Sequence, residues 1–267
     1  MKDAVVRLVR EVGTHLLSWQ AEGRVQGEWQ GRQYHANADR WAHEQLCDGL
    51  TELDPAIPIA SEEDASGKIS LGGRAYWLID PIDGTASYAQ GYAGYVTQVA
   101  LMVGDEPVLA VVFAPRFQQL FVAEKGMGAT REGVALPCEA RNALTLIDNA
   151  PVPRGAAADL YAAFGFERYL ESGGIALKIC RVAEGTADAF VKTVLVRDWD
   201  LAAPHLVLRE AGGRLSDAAG ADITYGATGA HAGLIAARDR ALASRIAEWN
   251  RALERGGPCE TPSASAD

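Results

Sequence analysis

Asp80 and Asp83 stand three positions apart in Trp77-Leu78-Ile79-Asp80-Pro81-Ile82-Asp83-Gly84-Thr85, where an apolar run ends in a turn bearing Pro and Gly. Two carboxylates across such a turn can point into the same few ångströms, where as bare anions they repel and raise each other's pKa. A divalent cation removes that penalty, and carboxylate oxygens suit Mg²⁺, which takes about six oxygens at roughly 2.1 Å. Gly84 and Thr85 would place free backbone N–H groups at a helix start, an anion site. A metal cluster beside a phosphate cradle is what phosphoryl transfer requires. Taken alone, D-x-x-D-G-T serves equally as a helix cap at Asp83 and a closed turn at Asp80. Glu62 and Glu63 alone read as a solvated loop, and Asp200 after Trp199 as an N-cap.

The combination carries more. Ser61-Glu62-Glu63, the Asp80-Pro81-Ile82-Asp83-Gly84-Thr85 segment, Trp199-Asp200-Leu201-Ala202-Ala203 and Glu210-Ala211-Gly212-Gly213 form an ordered set. That set resembles the lithium-sensitive, metal-dependent phosphatases of the inositol monophosphatase superfamily, nearer its 3′(2′),5′-bisphosphate nucleotidase branch. The resemblance spans nearly the whole chain from Asp39 onward. It implies a layered αβαβα sandwich of the sugar-phosphatase type, in the α+β class. It also implies two or three Mg²⁺ ions, with Glu62, Asp80, the Ile82 carbonyl, Asp83 and Asp200 as ligands. One ion, near Glu62, Asp80 and Ile82, would activate a water that Thr85 orients. The second, near Asp80, Asp83 and Asp200, would stabilise the leaving oxygen. Asp39 matches the aspartate that hydrogen-bonds the threonine or joins a further metal, and Gly84 and Thr85 match phosphate-binding amides. A homodimer is a family expectation that no residue pattern here supplies.

Substrate class rests on finer features. Gly173-Gly174-Ile175-Ala176-Leu177-Lys178-Ile179-Cys180 with Ala183-Glu184-Gly185 is similar to the bisphosphate-nucleotidase branch, which carries a lysine at the place of Lys178. A lysine beside the site favours a second phosphate by charge attraction, although on a helix a lysine is more often solvated. The expected substrate is 3′-phosphoadenosine 5′-phosphate, bound through Asp83, Gly84, Thr85, Lys178 and Asp200. Inositol monophosphate or another sugar phosphate is the alternative, and a non-catalytic relative that binds a phosphorylated ligand a further one. The family usually carries Asp-x-x-Thr before the Asp39 segment, where this chain has Gln33-Tyr34-His35-Ala36. That departure bears on the third metal and gives the site entrance unusual side chains. A covalent Asp80 nucleophile would favour D-x-D, whereas the acids of this motif stand as D-x-x-D. No H-x-x-x-H spacing supports zinc, and Ser87 lacks the G-x-S-x-G context of an acyl-transfer serine. Trp77, Tyr88, Tyr92 and Tyr95 read as core and site wall.

Elements must position these groups. Val5, Val9, Val12 and Leu16 predict a helix over 2–20, and Trp41, Leu46, Leu50 and Leu53 another over 38–53. Gly23 to Gly31 reads as a loop or flap. Strands are expected at 75–79, 96–103, 108–113, 120–123 and 143–147, with short links that suggest antiparallel hairpins. The second half predicts helices at 157–164, 175–184, 200–211 and 241–253, and strands at 187–191, 213–216 and 232–236. The predicted halves are 1–141, bearing Glu62 and the Asp80 motif, and 142–256, bearing Asp200, followed by a frayed tail over 257–267.

Composition frames the rest. The 267 residues carry 25 Lys and Arg against 35 Asp and Glu, a formal charge of −10. That balance argues against a nucleic-acid or anionic-membrane partner, both of which reward basic clusters. No run approaches the roughly 18 apolar residues of a membrane span. The start shows no secretory pattern, and four cysteines lack metal-like spacing, so a cytoplasmic protein with reduced thiols is expected.

Overall fold

The computed structural model describes residues 1–24, 27–30, 33–64, 75–139, 143–226 and 229–254, and the side chains of all these except 28–30, 33–36 and 254. The expected boundary near Arg141, the tail over 257–267 with Cys259, and the side chains of Gln33 to Ala36 lie outside the described residues.

Five layers stack in the order helices, sheet, helices, sheet, helices. The first layer is α1 (Lys2–Ala21) and α2 (Asn37–Leu53), whose apolar stripes include Val5, Val9, Leu16, Leu46 and Leu50. They pack on a seven-stranded sheet in the order β3-β4-β5-β6-β7-β8-β9. Its strands are β3 (Ile59–Ser61), β4 (Ala75–Asp83), β5 (Val96–Val103), β6 (Glu106–Ala114), β7 (Gln119–Glu124), β8 (Gly128–Arg131) and β9 (Val134–Ala135). All neighbours are antiparallel except β3 and β4. A separate hairpin, β1 (Gly27–Gln30) with β2 (Gln33–Ala36), replaces part of the expected loop over 23–31. Its alternating polar residues carry no apolar period, which is why the stretch reads as a loop.

The middle layer is α5 (Ile175–Glu184) and α6 (Asp198–Glu210). Every α5 residue except Arg181 is buried, as a helix packed on both faces requires. Glu184 in that helix is fully buried and is paired by Arg131 and Arg181, each at 2.6 Å. Beyond lies a five-stranded sheet in the order β11-β10-β12-β16-β14. These strands are β10 (Thr145–Asp148), β11 (Arg168–Glu171), β12 (Ala189–Lys192), β14 (Arg214–Ser216) and β16 (Leu234–Ala237), with a small β13 (Val196–Arg197) and β15 (Ala230–His231) pair beside it. The last layer, α4 (Ala156–Phe164) and α7 (Arg240–Glu254), covers its outer face through Leu160, Phe164, Ile246 and Trp249. The short helix α3 (Thr85–Ala89) follows β4.

Alternation along β4 sets the direction of each side chain. Tyr76 and Leu78 join the core shared with α5, α6 and the second sheet, whereas Trp77 and Ile79 join the core under α1 and α2. The shared core draws residues from both sides of the expected boundary, from Tyr76 to Ala236. Among the described residues no helix is long and apolar enough to cross a membrane.

Candidate active site

Strand β4 does not end at Ile79 as expected; it runs to Asp83 with one irregularity. Asp80 pairs with Gln98 and Asp83 with Val96, so three steps on β4 meet two on β5. That is a β-bulge, placed where Pro81 has no N–H to contribute to a ladder. Residues three apart on a regular strand face opposite ways. The extra residue cancels this inversion, so Asp80 and Asp83 both face the α5 and α6 layer while Ile82 packs under α1 and α2.

Asp200 arrives from the opposite side. It is the third residue of α6, and its Oδ2 accepts the Arg197 amide at 2.7 Å, closing a capping box. The helix begins at Asp198, two residues earlier than expected, so Asp200 is not the N-cap but the residue that reaches back to it. Carboxylate oxygens of Asp80, Asp83 and Asp200 lie within 4.8 Å of one another. Glu62 follows β3, whose parallel pairing with β4 brings the Glu62 amide to the Ile79 carbonyl at 3.3 Å. Its carboxyl has Asp80, Asp200, Glu63 and Asp39 as charged neighbours. Thr85 Oγ1 lies 3.1 Å from Asp39 Oδ1 and 3.0 Å from the Ile82 carbonyl oxygen, both acceptors for its proton. The structure thus brings Asp39, Glu62, Asp80, Ile82, Asp83, Thr85 and Asp200 together.

These carboxylates are held against their own chemistry. Burial raises the Glu62 pKa to about 8, helped by the charges of Asp200, Glu63 and Asp39. Burial also raises Asp80 well above the usual carboxylate range, with Glu62, Asp83 and Asp200 adding repulsion. Asp200 is pushed up to about 6 by burial and then by Asp83. Asp83 is raised by burial, against the pull of Lys178 and the Ala176 and Ile175 amides. Asp80 Oδ1 is buried with no hydrogen-bond partner, and an unpaired buried acceptor is costly. An all-oxygen donor set with one orphaned carboxylate oxygen fits a hard divalent cation, not a zinc site built on His or Cys.

The groups line one cleft of about 690 Å³, together with Gly84, Lys178 and Lys192. Gly84 has φ +92° at the start of α3, a backbone region that side chains strain to adopt. Gly174 caps α5 without a side chain, and Asp83 supplies the missing cap: Oδ1 accepts the Ile175 amide at 3.0 Å and Oδ2 the Ala176 amide at 2.7 Å. A Cβ on Gly174 would stand 2.8 Å from Asp83 Cγ, so the glycine is required by that approach.

Lys178 is buried, not solvated. Its ammonium donates to Asn149 Oδ1 and the Gly173 carbonyl and lies 4.8 Å from the centre of the Phe190 ring. Burial lowers its pKa to about 8. The cation that sequence reasoning missed is Lys192, at the end of β12 in the cleft wall. Its position after the apolar Ala189-Phe190-Val191 run, at a strand's carboxyl end, was the available signal. Gln98, which donates to Asp80 Oδ2 at 3.4 Å and the Trp199 carbonyl at 2.9 Å, was hidden in an apolar strand. His205 lies outside the cleft: it is half-buried against the Tyr225 hydroxyl at 2.8 Å, and desolvation lowers its pKa to about 4. Trp77, Tyr88 and Tyr95 are core, whereas Tyr92 is exposed in the cleft wall.

A sequence model described as the Inositol monophosphatase family matches residues 3–254. The chain is 32% identical over 197 residues to the 3′(2′),5′-bisphosphate nucleotidase CysQ of Escherichia coli K12, covering 70% of this chain and 78% of that protein. It is 34% identical over 198 residues to the Nus factor SuhB of Xylella fastidiosa, covering 71% of this chain and 70% of the other. Among solved structures, an IMPase of Thermotoga maritima superposes with a TM-score of 0.79 at 25% identity, over 96% of this chain and 98% of that one.

Proposed function

The chain belongs to the inositol monophosphatase family of metal-dependent phosphatases, and from that premise we propose that it hydrolyses a small phosphate monoester, with 3′-phosphoadenosine 5′-phosphate as the preferred substrate. The reaction adds water across the P–O bond and yields AMP and inorganic phosphate. The observation that carries the reading is the meeting of Asp80, Asp83 and Asp200 oxygens within 4.8 Å in a cleft that also holds Glu62 and two lysines.

Glu62, Asp80, the Ile82 carbonyl, Asp83 and Asp200 would hold Mg²⁺ ions. When bound, such ions supply charge neutralisation at the entering and leaving oxygens and bring the pKa of a water into the neutral range. The protein's own groups do the rest. Thr85 Oγ1, placed between Asp39 and the Ile82 carbonyl, orients the attacking water and passes a proton toward the Asp39 carboxylate. Gly84 and Thr85 offer backbone amides to the phosphate. Gln98 holds Asp80 and ties it to the start of α6 through the Trp199 carbonyl.

Lys178 and Lys192 favour a substrate with a second phosphate. Both line the cleft, and the Lys178 ammonium is held in place there by Asn149 Oδ1 and the Gly173 carbonyl. A two-lysine wall attracts a bisphosphate more strongly than a monophosphate polyol.

Phosphate release from 3′-phosphoadenosine 5′-phosphate, inositol 1-phosphate, fructose 1,6-bisphosphate and glycerol 2-phosphate, each with and without Mg²⁺, tests the proposal. Mg²⁺-dependent release with the highest kcat/KM for the adenosine bisphosphate supports it. Preference for inositol 1-phosphate would replace the substrate, and binding without any release would replace catalysis by ligand binding.

A further inference from the structure

Tyr92 and Phe117 are the two aromatic rings among the large apolar side chains that stand exposed in the described residues, at 63% and 43%. Both line the cleft that holds the acidic cluster, and none of the other exposed large apolar side chains does. Single exposed apolar residues are ordinary; two rings exposed in the wall of one polar cleft call for an occupant with an apolar face.

Both rings are carried on fixed backbone. The Tyr92 amide donates to the Ser87 carbonyl at 2.9 Å. Its carbonyl accepts the Gln20 side chain of α1 at 3.3 Å, and the same amide group holds the Tyr88 carbonyl at 2.8 Å. Phe117 ends the short 3₁₀ turn Pro115–Phe117. The Arg181 guanidinium lies 4.8 Å from the centre of its ring and is itself fixed by Gln119 at 2.8 Å and Glu184 at 2.6 Å. A hydrogen-bonded cation thus stands over the ring, and the residue remains 43% exposed in the cleft.

We propose that Tyr92 and Phe117 form a nucleobase subsite at the rim of the phosphate-binding cleft, which selects nucleoside phosphates over base-free ones. The inference rests on the phosphatase reading and adds the means by which the base is recognised. Every nucleobase offers a π-face, and stacking on aromatic side chains tolerates any base. A polyol seeks hydrogen-bond partners for its hydroxyls, which the Phe117 ring does not offer.

Calorimetric binding of AMP and of ribose 5-phosphate to the full chain, which needs no turnover, separates this inference from the phosphatase reading. The wild type is expected to bind AMP about ten-fold or more tighter than ribose 5-phosphate, the range one stacked base supplies. Tyr92→Ala and Phe117→Ala should each reduce that ratio, and the double variant should bring it near one, while Tyr92→Phe retains it. Equal affinity for the two ligands in the wild type, or an unchanged ratio in the double variant, overturns the subsite. A changed oligomeric state in the alanine variants with an unchanged ratio also overturns it, by assigning the rings to a second copy of the chain. AMP preference that vanishes in the double variant of a protein that releases no phosphate would leave the subsite standing and remove the phosphatase reading instead.

Discussion

The Asp83 carboxylate accepts the Ala176 amide at 2.7 Å, so one side chain both faces the acidic cluster and caps the central helix of the fold. Its second oxygen takes the Ile175 amide. Helix N-terminal amides left without acceptors cost stability, and here the acceptor comes from another sheet 92 residues away in sequence.

Asp83→Asn therefore carries two effects. Its NH₂ group must face one of the two amides that Asp83 now accepts. Stability should fall by about 1–2 kcal/mol, seen as a lower Tm in the presence of EDTA. Phosphate release should drop by about two orders of magnitude or more. A variant with unchanged Tm would contradict the capping role.

Asp80→Asn should move metal-free stability the other way. Burial and three neighbouring carboxylates raise the Asp80 pKa above its unfolded value. Such a group imposes a penalty that shrinks as pH falls below the folded pKa and is gone below the unfolded one. Asparagine removes that charge at every pH, so Tm in EDTA should rise while the Tm gain on adding Mg²⁺ and the activity are lost. A lower Tm in EDTA would show that the cluster is not self-repelling.

Gly174→Ala tests the approach of the two halves. The new Cβ would stand 2.8 Å from Asp83 Cγ and 2.9 Å from its carbonyl oxygen, closer than side-chain and backbone atoms tolerate. Lower Tm and a loss of turnover by at least about ten-fold are expected, because small displacements of reacting groups are costly. Wild-type turnover would mean that Asp83 has room to move.

Histidine 205 predicts a pH effect on stability away from the cleft. Burial holds its folded pKa at about 4, below the ordinary 6.5. The unfolded chain then binds one more proton between those values, so stability falls as pH drops from about 6.5 toward 4 and is fully present above 6.5. The full span is on the order of 3 kcal/mol. Denaturant unfolding of wild type and His205→Gln across this range should show a shallower slope in the variant; parallel slopes would contradict the desolvated neutral imidazole.

How much of this was legible in sequence depended on what each residue's neighbours along the chain could reveal. Helix Ile175–Glu184 and strand Val96–Val103 were readable to the residue, because strong apolar patterns end at Gly185 and Gly104. Strand Arg168–Glu171 was missed: it has two exposed ends and owes its extension to parallel pairing with Thr145–Asp148. The acidic residues were singled out by their motifs and the resemblance these carry, but their convergence depends on a bulge that no local pattern encodes. Lys178, which on a helix reads alone as solvated, is buried. A charged helix residue is buried here because Asn149, a backbone carbonyl and Asp83 meet it from other elements.

The central claim is that the carboxylates of Glu62, Asp80, Asp83 and Asp200 form a divalent-cation site. Anomalous diffraction from crystals grown with Mn²⁺ in place of Mg²⁺ tests it without reference to any substrate. The account predicts anomalous peaks in the cleft, each within about 2.5 Å of oxygens from at least two of these residues. Crystals at saturating Mn²⁺ with no peak there, or with peaks only on outer surface acids, would contradict it.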